Sequence, residues 1–418
     1  MLQQQALSNR FDKWMAVGYF LTISMHALDI KHIHLLHALL WILRGLCFVV
    51  AIHLLFKKKI YFNRFHGVVF LYLVWLVLVS IVSQSDGLVS VPAFFITISS
   101  YLILFQFQYQ YQPEGLLRSQ LWAFAAYVWV SLVLVILFPD GMWMNEYGSN
   151  GKMEMRYLVG GNYNQLGPIF LCACVTALCY DLRYGTKTFW YLFVISFAQL
   201  IIVGSKTSIV GFVLLLVVQL IKSTAKKYSY AKTLMIVFVV YQLFVTFFFD
   251  IFTSFEWVRY IVVDLLNKDL SFTNRTFLWD TSKYYISKHP IVGYGRLSVE
   301  WYRFYFGNAN PHNFVLMCFM TGGTVLFAIL LFLYNTVMSS FRKHRTIEGV
   351  YFTVGLAVLL IMMVTEVYSF YYLIYLMCNI YYSAYLINPI AASNSEHGCF
   401  SERERMNTVV VSSFNKAQ

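Results

Sequence analysis

The sequence predicts an all-α integral membrane protein with about 12 transmembrane helices and a long extracytoplasmic loop between spans 9 and 10. Two observations support this fold class. The 418-residue chain is 59% apolar and only 12% charged, with a mean hydropathy of +0.63, whereas an ordinary soluble domain is about one quarter charged. The apolar residues also recur in stretches of about 20, the length of helix that crosses a bilayer core. A soluble protein is therefore excluded.

The predicted spans follow one another with short connections over most of the chain. They cover residues 14–30, 35–56, 66–83, 91–108, 120–138, 158–180, 188–203, 205–221, 234–253, 312–338, 349–365 and 368–387.

The net charge of +12 is interpreted as a sign of topology and not of nucleic-acid binding. Cytoplasmic loops of membrane proteins collect Lys and Arg. With the N-terminus inside, basic clusters such as residues 57–59 fall on the cytoplasmic side, while the short outer segments hold only Lys31, Lys152, Arg156 and Lys206. This asymmetry predicts a multi-pass protein with both termini cytoplasmic.

Two outer segments are longer than tight hairpins, residues 139–157 and residues 254–311. A connection as long as the second is usually functional. The predicted organisation is a membrane domain of spans 1–9 (1–253), an extracytoplasmic catalytic loop (254–311), a membrane domain of spans 10–12 (312–388) and a disordered cytoplasmic tail (389–418).

The long loop contains a predicted surface helix within residues 272–290, bounded by N-cap signals and a proline. Its first turn carries Arg275, beside the free N–H groups and positive dipole end of the helix. This arrangement binds anions. The alternative is that Arg275 pairs with Asp269 or Asp280 on the loop surface.

Arg296 follows two glycines, Gly293 and Gly295, which permit backbone turns that other residues resist. It is a candidate second cation for the same anion. The alternative is an ordinary solvated arginine.

The loop ends in a pattern of N-cap, first-position proline and first-turn histidine, formed by Asn310, Pro311 and His312, with Asn313 next. A helix N-terminus favours neutral imidazole, so His312 is a candidate general base. The alternative is a polar residue at the membrane interface.

The outward-facing ends of spans 6, 8 and 10 all carry small and polar residues. With Arg275 they predict a cationic, donor-rich pocket on the outer face, although small residues also serve close helix packing. The candidate binding residues at these ends are Asn162 and Asn164 on span 6, Lys206 on span 8 and Asn313 on span 10.

Arg44 lies near the middle of span 2, where an ionisable residue is costly and therefore a functional candidate. The alternative is a structural pair with Asp29 or Glu366. The seven cysteines lack paired CxxC spacing, so neither a zinc site nor a disulfide framework is predicted. No cofactor is predicted.

Four segments resemble the bacterial O-antigen ligase and polymerase superfamily. They are NRTFLWDTSKYYISKHPIVGYG (274–295), PHNFVLMCFMTGG (311–323), GGNYNQLGPIF (160–170) and GSKTSIVGF (204–212). Their order, spacing and membrane placement agree with the family pattern, from about Leu158 to Gly323.

The resemblance implies an inverting, metal-independent glycosyltransferase of the GT-C type in the bacterial inner membrane, acting on its outer face on undecaprenyl-diphosphate-linked oligosaccharide. It implies that Arg275 contacts the diphosphate and that His312 activates the acceptor hydroxyl. Lys206 stands where many relatives have Arg, which keeps the charge but loses the two-pronged donor. Membrane lipid, a chain-length regulator and a flippase are the other implied partners, and nucleic acid is not.

Three functions remain open at this point. The leading prediction is a polymerase of lipid-linked repeat units for O-antigen, capsule or exopolysaccharide. The first alternative is a ligase that transfers glycan to lipid A core or protein. The second is a polysaccharide exporter or flippase, which is disfavoured because the polar residues gather at one face and not along midplane pathways in related halves.

Overall fold

Fourteen α-helices and one two-stranded sheet form the described part of the chain. This computed structural model describes residues 2–30, 32–147, 152–247, 255–256, 275–308 and 310–383. The helices are α1 (Leu2–Ala27), α2 (His34–Lys57), α3 (Arg64–Val82), α4 (Val91–Tyr111), α5 (Leu116–Leu137), α6 (Leu166–Tyr184), α7 (Thr188–Ile202), α8 (Lys206–Leu220), α9 (Thr224–Phe247), α10 (Arg275–Lys288), α11 (Val299–Phe306), α12 (Phe314–Lys343), α13 (Ile347–Met362) and α14 (Phe370–Ser383). The strands are β1 (Trp143–Tyr147) and β2 (Lys152–Arg156).

Helices occupy the twelve predicted spans, and the fold fits an α-helical membrane protein. Six of them are long and apolar enough to cross a bilayer, namely α2, α3, α4, α5, α6 and α12. The apolar helices α7, α8 and α13 are shorter, with 15, 15 and 16 residues. The number of about 12 spans therefore stays a prediction, as does the division into domains. The predicted tail, 389–418, lies outside the described residues.

The centre of the bundle is built from α6, α13 and α14. Helix α13 packs against α6, α8, α9 and α14, and its residues from Gly349 to Leu359 are all buried. Helix α6 is likewise buried from Leu166 to Cys179. Helices that are apolar on every side belong in the interior of a bundle, so these three hold the outer connections in fixed positions.

The peripheral helix α2 shows the opposite pattern. Its apolar side chains Ile42, Leu46 and Val49 are 62%, 56% and 62% exposed. A continuous apolar surface of this kind fits contact with lipid and not with water.

The all-α prediction misses a β-hairpin in the first long outer segment. Strands β1 and β2 pair antiparallel, with Trp143 opposite Arg156 and Tyr147 opposite Lys152. The run Gly-Ser-Asn-Gly at 148–151 separates the strands in the sequence. Turn residues between two short runs are a hairpin signal.

Helix α6 starts eight residues later than predicted. Gly160 and Gly161 have φ of +82° and +77°. Positive φ is incompatible with a right-handed α-helix, and glycine adopts it readily. Val159 instead forms an isolated bridge with Leu28, and Tyr157 forms one with Gly161. The segment before α6 is therefore a bent loop at the end of α1.

Helix α12 is broken at Gly323, where φ is +64° and ψ is −162°. The loop after α10 fills the break, because Tyr294 N–H donates to Met320 O (2.7 Å) and Thr324 N–H donates to Pro290 O (2.9 Å). Trp75 on α3 donates to Gly322 O at 3.0 Å. The break fixes the Gly293–Gly295 turn against the membrane helices.

The predicted loop helix is confirmed as α10, and a second loop helix, α11, was not predicted. Leu278 of α10 is 2% exposed and packs with Tyr302 and Phe306 of α11 and Met320 of α12. The amphipathic face of α10 thus docks the loop onto the N-terminal half of α12.

Candidate active site

A histidine–carboxylate pair lies at the start of α12. His312 Nδ1 is 3.2 Å from Glu366 Oε2, with the two side chains 15% and 2% exposed. The other ring nitrogen, Nε2, is 3.0 Å from Asn308 Oδ1. A carboxylate on one imidazole nitrogen orients the ring. Both ring nitrogens of His312 face acceptor oxygens, so the neutral imidazole donates to only one of them at a time.

Glu366 also joins the N-terminal ends of two other helices to this pair. Asn164, just before α6, donates from Nδ2 to Glu366 Oε1 at 2.9 Å. Ser205, just before α8, donates to Asn164 Oδ1 at 3.2 Å, and it also donates to Ser208 Oγ at 2.7 Å. One buried network therefore connects the starts of α6, α8 and α12.

The network depends on the short non-helical connection between α13 and α14. Helix α13 ends at Met362, and Glu366 stands in the short connection that follows. Phe314 N–H donates to Met363 O at 3.3 Å, and Gln165 Nε2 donates to Val367 O at 3.0 Å. The connection is thus held on both sides, by α12 and by the segment before α6.

The predicted N-cap of span 10 is wrong. Helix α12 begins at Phe314, and its N-cap is Asn313, whose side chain accepts from Leu316 N–H at 3.1 Å. His312 precedes the helix with φ +50°, and its N–H donates to Asn310 Oδ1 at 2.7 Å. This left-handed residue turns the chain before the helix, so His312 lies outside the first helical turn.

The structure also contains a cavity of about 350 Å³, which is not lined by the residues of the network. It opens among the end of α1, the Gly160–Gly161 turn and α11. Its chemistry is mixed, with two arginines, two histidines and two carboxylates from the following residues: Arg156, Arg303, His26, His32, Asp29 and Glu300.

Among the cavity residues, Arg303 Nε and His26 Nε2 are buried without a hydrogen-bond partner in the described part of the chain. His26 Nδ1 is 2.8 Å from Ser369 Oγ, in the same connection that carries Glu366. The cavity and the histidine–carboxylate network therefore share their supporting segments.

Two predicted cations lie at helix starts. Lys206 is the first residue of α8 and is exposed, next to Ser205 of the network. Arg275 is the first residue of α10; its side chain lies outside the described part of the structure. Asp280, a proposed partner of Arg275, pairs with Lys283 at 2.8 Å.

The other two predicted cations are placed elsewhere. Arg296 lies over the Phe94 ring at 5.0 Å, and its backbone N–H donates to Ser80 Oγ at 2.9 Å. Burial lowers the pKa of the Arg296 guanidinium from its ordinary value. Arg44 donates to Ser24 Oγ at 2.9 Å, and it forms no ion pair with Asp29 or Glu366 among the described residues.

Both remaining predicted asparagines cap helical turns. Asn162 accepts from the N–H groups of Asn164 and Gln165, both at 3.1 Å. Asn313 is 0% exposed and donates to Gln242 Oε1 of α9 at 2.8 Å. These contacts orient Asn164 and His312 respectively.

Aromatic side chains of the loop pack against one another. Trp301 lies 4.6 Å from Tyr305 and 5.2 Å from Tyr285 between ring centroids, and Tyr302 is 1% exposed. Tyr305 keeps 45% of its surface exposed. Most of this cluster therefore holds α10 and α11 together.

The sequence alone did not identify Glu366, Arg156 or Arg303 as site residues. Glu366 offered a signal, a carboxylate in a short polar turn between two apolar stretches. Its partner is set by tertiary packing, which no local pattern specifies. The described residues include no group of three or more His, Cys, Asp or Glu side chains arranged to hold a metal ion.

The comparison with protein families gives one match. The model of the O-antigen ligase family matches residues 191–331, which extend from α7 to the middle of α12 and include Lys206, Arg275, Arg296 and His312. No curated protein sequence matches the chain. The match confirms the resemblance to the O-antigen ligase and polymerase superfamily that the sequence motifs indicate.

Proposed function

We propose that this protein is a polymerase of undecaprenyl-diphosphate-linked repeat units, acting at the outer face of a bacterial inner membrane. The family match favours O-antigen ligase or polymerase-type activity. The single observation that carries the proposal is the pairing of His312 with Glu366 where the ends of α6, α8 and α12 meet.

His312 acts as the general base in this proposal. A sugar hydroxyl is a weak nucleophile, and a positioned imidazole takes its proton as the new C–O bond forms. Nε2 takes the proton in this proposal, so the acceptor hydroxyl displaces the Asn308 side chain, whose Oδ1 lies 3.0 Å from Nε2. Glu366 holds Nδ1–H and stabilises the imidazolium that results.

The diphosphate leaves as the anomeric C–O bond breaks, so inversion at that carbon is expected for one direct displacement. Its negative charge needs cations and free N–H groups. Lys206 at the start of α8 and Arg275 at the start of α10 are suited to this role. The step balances without a further reactant, since the acceptor proton passes to His312 and polyprenyl diphosphate is released.

The cavity at the end of α1 is suited to sugar. Arg156 and Arg303 supply donors, and Asp29 and Glu300 supply acceptors. Sugar hydroxyls both donate and accept, so a mixed set satisfies them better than a cationic pocket alone. We assign this cavity to a sugar of the repeat unit.

Ligation is the second candidate function, and the description of the matching family favours it. The two reactions share the donor and the chemistry but differ in the acceptor, which is a second lipid-linked unit in polymerisation and lipid A core or protein in ligation.

Deleting the gene and sizing the glycans distinguishes these functions. Loss of a polymerase leaves single repeat units. Loss of a ligase leaves long chains on undecaprenyl carriers, and loss of an exporter leaves lipid-linked sugar facing the cytoplasm. We expect single repeat units. Long carrier-bound chains would indicate that the protein is a ligase and not a polymerase.

A further inference from the structure

A groove between α9 and α12 contains none of the residues assigned to the proposed reaction. Its volume is about 350 Å³, and it is lined by Lys232, Met235, Ile236, Val239, Val240 and Tyr334. We call these six residues the α9–α12 groove.

The groove is apolar and open to the outside of the bundle. Ile236, Val239 and Val240 are 63%, 53% and 59% exposed. Met235 is 8% exposed and forms the floor, where Tyr334 Oη donates to its sulfur at 3.2 Å. Exposed aliphatic side chains of this kind on a membrane helix contact acyl chains.

One end of the groove is cationic. Lys232 Nζ lies 5.3 Å from the centroid of the Tyr228 ring, and Arg345 lies 4.8 Å from the same centroid. Neither cation forms an ion pair with another described residue. Two like charges that converge on one ring favour an anion near them.

The shape of the groove matches a lipid. From Lys232 to Val240 the helical rise gives roughly 12 Å, so the cationic end and the apolar length lie along one line. The predicted topology puts the Lys232 end at the cytoplasmic interface, where anionic phospholipids attract basic residues.

We propose that the α9–α12 groove binds one anionic phospholipid of the inner leaflet, with its phosphate at Lys232 and Arg345 and an acyl chain along Ile236, Val239 and Val240. The proposal rests on the predicted orientation of the chain and not on the transfer reaction.

The test uses the full-length protein in mild detergent, stripped of lipid and titrated with phosphatidylglycerol or with phosphatidylcholine of the same acyl chains. Native mass spectrometry counts the bound lipid. We expect one phosphatidylglycerol to bind roughly tenfold more tightly than phosphatidylcholine, and Lys232→Ala to weaken it about fivefold.

Matched variants separate the groove from general surface effects. Val239→Trp fills the groove and keeps every charge, so it should also lose the tight site. Val237→Trp changes an exposed residue of the same helix outside the groove, and Lys343→Ala removes a basic residue at the end of α12. Both should bind phosphatidylglycerol like the wild type.

Three results would overturn the proposal. They are equal affinity for the two lipids, wild-type binding by Val239→Trp, and equal losses in Lys232→Ala and Lys343→Ala, which would indicate diffuse charge attraction. Displacement of phosphatidylglycerol by an equimolar polyprenyl phosphate would assign the groove to the carrier lipid instead.

Discussion

At the scale of single residues, the proposed role of His312 depends on Glu366, which is 2% exposed and contacts both His312 and Asn164. A buried carboxylate that accepts a hydrogen bond from one imidazole nitrogen fixes the orientation and the tautomer of the ring. This matters more for catalysis than the charge alone, because in the other tautomer the opposite nitrogen is protonated and cannot accept the proton of the acceptor hydroxyl.

Glu366→Gln should lower turnover by about 10² to 10⁴ while donor binding persists. The amide keeps the size of the side chain, but it cannot both orient the ring and stabilise the imidazolium. Purified protein with lipid-linked repeat units provides the measurement, and Glu114→Gln, an exposed glutamate between α4 and α5, is the control. Wild-type turnover in Glu366→Gln would reduce the pair to a structural contact.

Arg275→Ala should abolish polymer at unchanged protein level, and Arg275→Lys should restore part of it. One ammonium cannot reproduce the two parallel donors of a guanidinium. Glycan sizing in cells that express each variant is the check, with Lys288→Ala at the other end of α10 as the control. Normal polymer from the Arg275→Ala variant would show that Arg275 is an ordinary residue of the loop surface and is not needed for the transfer.

Residue patterns predicted that the starts of α6, α8 and α12 lie close together, but not which of their side chains are in contact. The small and polar residues before α6, α8 and α12 are legible in sequence because they interrupt apolar runs. The contacts of Arg44 and Glu366 could not be predicted from the sequence, because each depends on how helices distant in the chain pack together.

At the scale of elements, the break in α12 shows why glycine is required at two positions. A Cβ on Gly323 would lie 2.1 Å from Ile291 O, and a Cβ on Gly293 would lie 2.7 Å from Met320 O. Both residues have positive φ, so any side chain there is strained as well as crowded.

Gly323→Ala should destabilise the protein by roughly 1–3 kcal/mol. Gly45→Ala is the matched control, since its Cβ would meet nothing within 4 Å and alanine favours the helix. Thermal unfolding in detergent compares the two variants. Equal melting temperatures would show that the loop does not depend on the break.

Apolar stretches predicted where the apolar helices lie, although α7, α8 and α13 have only 15, 15 and 16 residues, fewer than the about 20 that cross a bilayer. They predicted the outer connections poorly. The β-hairpin, α11 and the late start of α6 depend on turn residues and on tertiary contacts such as the bridge between Val159 and Leu28.

At the scale of the whole molecule, the orientation in the membrane decides which side the candidate site faces. Cysteines placed at Lys58 and Lys343 in a cysteine-free background should be shielded from a membrane-impermeant thiol reagent in intact cells. A cysteine at Lys283 on α10 should be labelled, because the loop is predicted to lie outside. The reverse labelling pattern would show that the protein has the opposite orientation and that the candidate site faces the cytoplasm.

The central claim is that His312 removes the acceptor proton during glycan transfer at the outer face. Its most direct test measures donor binding and glycosidic bond formation separately in nanodiscs, for wild type and His312→Gln. The account predicts unchanged donor binding and a rate lower by about 10² to 10⁴. A His312→Gln variant that forms bonds at the wild-type rate would contradict it.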